Sequence, residues 1–240
     1  MDIRQAYSAL FTILNDKNIH KVVLILHSQG AIEGGLALNW LYATLSADQM
    51  SKLEMYTFGN AANHWNSPSL TTSSNTGGSG EAGSARLETP QLRRLGSIKD
   101  QATTTIRHIE HYANLRDYVS RGGILHFRPD PDPTANDGLG PVHSNRFVGR
   151  LFKNDASGHL LNQHYLNYFF QVDSTDPATG KVVEDNEYMN SLVDVGVLER
   201  WDTVQVGDDE GRTDGTRIKD LSRLWKYRNG KSPDESDDGQ

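Results

Sequence analysis

The sequence predicts an α/β domain built on a mostly parallel sheet with flanking helices, and three observations carry that reading. Residues 22–26, Val-Val-Leu-Ile-Leu, form an apolar run without period-two alternation, as expected of a strand buried on both faces. Residues 31–45 then change to helical spacing. Further short apolar runs alternate with helical patterns along the chain, an order that calls for crossover connections between parallel strands. With 240 residues and 36% hydrophobic content, there is enough chain for one such domain with a real core.

The elements follow in order. Ile3, Tyr7, Leu10, Phe11 and Leu14 lie at helical intervals, so a helix over 3–15 precedes the first strand. In the helix over 31–45, Ile32, Leu36, Trp40 and Ala43 fall on one stripe, and Gly30, Ala31, Gly34 and Gly35 allow its first turns to approach the strand closely. Residues 53–59 and 103–113 read as the next strands, 122–128 as a short apolar segment before a Pro/Asp loop at 129–141, and 147–153 as a last strand. A helix over 160–170 follows, with Leu160, Leu161, Tyr165, Leu166, Tyr168 and Phe169 as its apolar residues. Residues 66–101 are dominated by Ser, Thr, Gly and scattered charge. Such a stretch buries too little apolar surface to offset its ordering entropy, so it reads as a disordered insertion within a single domain of residues 1–206. Residues 207–240 read as a charged tail, within which 217–227 fit one amphipathic helix through Ile218, Leu221, Leu224 and Trp225.

Composition narrows the function. The net charge is −7, and Asp208, Asp209, Glu210, Asp234, Glu235, Asp237 and Asp238 gather near the C-terminus, which argues against a nucleic-acid partner. There is no cysteine, which excludes disulfides, thiolate metal sites and cysteine nucleophiles. No run approaches the ~20 apolar residues of a transmembrane segment. No signal peptide opens the chain and no N-glycosylation sequon occurs in it. The expectation is a cytoplasmic protein.

Chemistry enters where the first strand breaks at Ser28. A serine on a tight strand-to-helix turn, within G-x-S-x-G, is the nucleophile elbow. Here the pattern is Leu26-His27-Ser28-Gln29-Gly30, so only the second glycine is present and Leu26 must find room between strand and helix. The bland alternative is a serine capping the helix. A nucleophilic serine needs a histidine to take its proton and a carboxylate to orient that histidine. Asp117 follows the strand over 103–113, and His159 follows the last strand in Asp155-Ala156-Ser157-Gly158-His159. His164 is the alternative base, with His126 and His143 behind it. Asp117 has a bland reading too, capping a turn or pairing with Arg116 or Arg121. His108, Glu110 and His111 suggest a metal site only weakly, because residues 108 and 111 of a strand point to opposite faces. No metal and no cofactor are expected.

Tyr56-Thr57-Phe58-Gly59, with Asn63 four residues on, resembles the T-F-G strand that follows the elbow helix in class 3 lipases. Asn114-Leu115-Arg116-Asp117-Tyr118-Val119 is similar to their N-x-x-D-x-V acid motif. A histidine near a Tyr-Phe-containing final helix completes the order, although its spacing to that pair differs. Over residues 1–170 the chain thus resembles a lipase-like α/β-hydrolase, of a kind associated with fungi. The resemblance implies an α/β-hydrolase-type sheet, an ester substrate (small molecule or lipid), Ser28 as nucleophile, His159 as general base and Asp117 as its orienting carboxylate. The backbone N–H of Gln29 would be one oxyanion donor. It also implies that the usual N-terminal strands are lacking, since one helix precedes the nucleophile strand. The second oxyanion donor then has no upstream source, and the expectation is either an N-terminally incomplete form of a longer hydrolase or a partner surface, such as another subunit, over the incomplete sheet edge. The alternative is an inactive hydrolase-fold protein that acts as a binding or interaction module through the same cleft.

Overall fold

Five strands form one sheet in the computed structural model, which describes residues 2–68, 105–128, 146–207 and 215–233. They are β1 (Val22–His27), β2 (Leu53–Phe58), β3 (His108–Arg116), β4 (Arg150–Ser157) and β5 (Thr203–Val204). Every neighbouring pair is parallel, and spatial order follows chain order. The helices are α1 (Ile3–Asn15), α2 (Gln29–Thr44), α3 (Ala47–Met50), α4 (Tyr118–Gly122), α5 (Ile124–Phe127), α6 (Asn167–Phe169), α7 (Glu187–Asn190), α8 (Val195–Trp201) and α9 (Ile218–Leu221). Helix α1 starts at a capping box in which Asp2 and Gln5 satisfy each other's backbone N–H groups, a local signal that needs no tertiary support.

The sheet is buried on both faces across its middle. Leu53, Met55, Ile109, Ala113 and Leu151 join the core under α1, α2 and α3. Tyr56, Phe58, Tyr112, Phe152 and Val204 join a second core with Tyr165, Phe169, Tyr188, Ile218 and Trp225. On this second face Phe58, Tyr112 and Phe152 stack across three strands at centroid distances of 4.9 and 4.8 Å, following the register that sets them side by side.

Several expectations are corrected. The strands expected over 103–113 and 147–153 run over His108–Arg116 and Arg150–Ser157, because buried polar residues such as Asn114 and Asn154 extend the ladders beyond the apolar runs. Among the described residues β1 is an edge strand with β2 as its neighbour, and it is not buried on both faces: Val23 and Ile25 are 40% and 48% exposed. The large-residue stripe of α2 faces outward, and small residues face the sheet. Ala31, Gly34, Ala37, Leu38 and Leu41 are buried, whereas Ile32, Leu36, Trp40 and Ala43 lie outside. A helix apolar all round cannot be oriented by counting large residues, and the small ones here permit the closer approach. The helix expected over 160–170 is a π-helical turn over Leu161–Leu166 running into α6.

Residues 215–233, read in the sequence as part of a charged tail, lie against the second face of the sheet. Ile218 and Trp225 are buried there. Arg223 Nε and Nη2 donate to Glu54 Oε1 at 3.0 and 2.8 Å, and its backbone N–H donates to Glu110 Oε1 at 2.7 Å. The single helix expected over 217–227 is α9 followed by a 3₁₀ segment, Leu224–Gly230. Most of the insertion read at 66–101, the Pro/Asp loop at 129–141 and His143 lie outside the described residues. Among the described residues no helix is long and apolar enough to cross a membrane.

Candidate active site

Four consecutive strands deliver residues to the same rim of the sheet. Ser28 follows β1, Gly59 follows β2, Asp117 follows β3, and Gly158-His159 follow β4. The carboxyl ends of parallel strands are where open α/β sheets form their crevices. The ladder continues one step past the strands to hold this rim, with Ser28 N–H donating to Phe58 O at 3.1 Å and Gly59 N–H to Tyr112 O at 3.0 Å.

Ser28 sits at φ 56°, ψ −127°, a conformation that costs a residue with a Cβ on the order of 1–3 kcal/mol. Its side chain makes no capping bond to α2, so the capping alternative is not what the structure displays. The backbone N–H of Gln29 opens α2 and, as its first residue, has no acceptor within the helix. Leu26, standing where the elbow pattern has glycine, is accommodated by Gly34: a Cβ on Gly34 would collide with the Leu26 side chain.

The structure brings Ser28, His159 and Asp117 into one hydrogen-bonded line. His159 Nε2 is 2.7 Å from Ser28 Oγ, and His159 Nδ1 is 2.8 Å from Asp117 Oδ2. Asp117 is fully buried and uses its oxygens differently. Oδ1 accepts from Val119 N–H at 2.9 Å at the start of α4. Oδ2 accepts from Tyr165 O–H at 2.6 Å and Ser120 O–H at 3.1 Å as well as facing His159. The turn-capping reading and the histidine-orienting geometry therefore coexist on one carboxylate, while Arg116 pairs with Asp155. Burial pushes the Asp117 carboxyl up, but the hydrogen bonds from Tyr165, His159 and Val119 outweigh it and hold the group below the usual aspartate value.

The loop carrying His159 is built by neighbours of both motifs. Asn114 Nδ2 donates to Gly158 O at 3.3 Å and His164 O at 3.0 Å, tying the acid strand to the histidine loop. Gly59, at φ +54°, has no room for a side chain: a Cβ would stand 3.0 Å from both Asp117 Oδ2 and the His159 ring. His164 is not brought to Ser28. Its Nδ1 accepts the Leu160 N–H at 2.9 Å, and its ring occupies the space a Gly158 side chain would need. His126 lies in α5 against Phe127, away from the line. Tyr165, Ser120 and His27 were not anticipated from the sequence; His27 Nε2 is 2.6 Å from His159 O. Only the last of these carried a legible signal, its place beside the serine.

The histidines considered for a metal lie on two faces. His108 Nε2 meets Glu110 Oε1 at 3.0 Å. His111, on the other side of the strand, bonds Val148 O at 3.0 Å and Thr57 Oγ1 at 2.7 Å. Among the described residues no group of three His, Asp or Glu side chains is placed to hold a metal ion. Among known family models, curated proteins and solved structures, none matches the chain.

Proposed function

We propose that the chain is a serine hydrolase of the esterase or lipase kind, acting on ester bonds through a Ser28–His159–Asp117 triad on an α/β-hydrolase-type sheet. The observation that carries the reading is the unbroken hydrogen-bond path from the strained Ser28 through both nitrogens of His159 to a buried carboxylate. In the reaction Ser28 Oγ attacks the acyl carbon while His159 Nε2 takes its proton. The imidazolium so formed is stabilised by ionised Asp117, and the oxyanion is directed at the Gln29 N–H. His159 then returns the proton to the leaving alkoxide oxygen as the ester C–O bond breaks. A water molecule repeats the sequence, releasing the acid and restoring Ser28.

An apolar ester fits the surroundings best. Tyr118, whose ring lies 5.7 Å from that of His159, is 76% exposed, and Leu160, next to His159 in the chain, is 53% exposed. The exposed Val23 and Ile25 on β1 support the further expectation that another surface covers this edge of the sheet. Reaction with a fluorophosphonate probe tests the reading. Wild-type chain is expected to be labelled at Ser28 and S28A to remain unlabelled. Equal labelling of both, or of neither, removes the hydrolase reading and leaves the binding-module alternative.

A further inference from the structure

His27, the last residue of β1, reaches across to the loop that carries His159. Its Nε2 lies 2.6 Å from the His159 backbone oxygen, its ring lies 4.6 Å from the His159 ring at an interplanar angle of 32°, and it meets the Tyr165 ring edge-on with centroids 6.2 Å apart. A carbonyl oxygen only accepts, so His27 Nε2 must carry the hydrogen. The His159 side chain is held by Asp117 from β3, whereas its backbone is held by His27 from β1. These are two independent constraints on one residue in a loop whose own Gly158 takes φ +92°, a conformation that leaves the local backbone little intrinsic preference for this shape.

We propose that His27 is a positioning residue: its Nε2–H clasps the His159 carbonyl and its ring backs the His159 imidazole, so that Nε2 of His159 stays within reach of Ser28 Oγ. The inference rests on the hydrolase reading for its consequence, not for its geometry. Burial lowers the His27 pKa, which keeps the ring neutral near pH 7, without a second positive charge beside the imidazolium that forms on His159. A neutral His27 with its hydrogen on Nε2 leaves Nδ1 as an acceptor, a tautomer that can be read directly.

Nitrogen-15 NMR of the full chain labelled in its imidazoles is the first arm. Neutral His27 is expected as the Nε2–H tautomer; the Nδ1–H tautomer would overturn the clasp, whatever the catalytic competence of the chain. The second arm compares H27Q, whose amide nitrogen can donate from nearly the same place, with H27F, which keeps a ring but no donor. The low-field Nδ1–H proton of His159 is expected to persist in H27Q and to broaden by exchange in H27F. Fluorophosphonate labelling of Ser28 is expected to slow by less than about threefold in H27Q and by about tenfold or more in H27F, the scale of a misplaced catalytic group. Equal behaviour of the two variants overturns the proposal. Wild-type chain that shows the tautomer and the low-field proton yet resists the probe would instead overturn the hydrolase reading alone.

Discussion

At the scale of single residues, the site depends on how many donors reach one oxygen. Asp117 Oδ2 is within hydrogen-bonding distance of His159, Tyr165 and Ser120, and Tyr165 O–H is the shortest of these contacts at 2.6 Å. Tyr165 is fully buried, its other edge packed in the aromatic core against Phe58 and Phe169. Tyr165→Phe therefore keeps the packing and removes one charge-assisted donor. A loss of about 1.5–3 kcal/mol in unfolding free energy is expected, typical of hydrogen bonds to charged groups. The Asp117 pKa should rise toward its ordinary value, since the Tyr165 bond is the largest of the influences lowering it. Urea unfolding together with carboxylate titration of Asp117 by carbon-13 NMR checks both; an unchanged midpoint and pKa would contradict this account. Ser28, Asp117 and His159 were legible because a serine–histidine–acid arrangement would need them just past strands in a fixed chain order. Tyr165 was not. In sequence it is one more aromatic in a helical stripe, and only the π-helical turn over Leu161–Leu166 and the approach of α4 turn its hydroxyl toward the acid.

At the scale of elements, the junction between β1 and α2 shows how a departure from a motif is absorbed. The elbow pattern has glycine where this chain has Leu26, and Gly34 on α2 provides the space the leucine needs. Both residues were noticed in the sequence, Leu26 as an obstacle and Gly34 as one of several small residues, yet nothing in a linear chain says that they face each other. Their coupling is measurable. In the native background Gly34→Ala should lose, through collision with Leu26, the advantage of about 1 kcal/mol that alanine has over glycine inside a helix. With Leu26→Ala already present, the collision disappears and the advantage returns. A double-mutant cycle by chemical denaturation is expected to show coupling of about 1–2 kcal/mol, within the range for residues in contact. Additive effects would mean that the two side chains do not share this space. The outward stripe of α2 has the same origin: periodicity located the helix, but the choice between its large face and its small face was made by how closely the strand must be approached.

For the whole molecule, the two faces of the sheet impose charge requirements that the unfolded chain does not. On the first face His111 is wholly buried, donating from Nε2 to Val148 O and accepting at Nδ1 from Thr57, and burial pushes its pKa down to about 3 from 6.5. On the second face Glu54 must stay ionised to hold Arg223. Burial raises its pKa, but the bonds from Arg223, Tyr227 and Tyr56 prevail and the net shift is downward. Both groups act in the same direction. Between pH ~6.5 and ~3 the unfolded chain has protonated its histidine while the native one has not, so each unit of acidification removes up to about 1.4 kcal/mol of stability. The Glu54 contribution is complete above its ordinary pKa and is lost only as pH falls below it. The docking of residues 215–233 that this carboxylate secures was only half legible in the sequence: the apolar set Ile218, Leu221, Leu224 and Trp225 was read as an amphipathic helix, but surrounding acidic runs placed it in a charged tail, apart from the sheet. Thermal unfolding followed from pH 8 to pH 3 is expected to show a midpoint level above about pH 7, a decline beginning near pH 6.5 and a steeper decline below about pH 4.5. His111→Gln keeps a donor toward Val148 O and removes the titrating ring, so it should flatten the decline between about pH 6.5 and 4.5 and lessen it below, where the contribution of the carboxylates remains. A variant whose midpoint still falls in parallel with the native protein between pH 6.5 and 4.5 would show that the buried imidazole is not what makes the fold acid-sensitive.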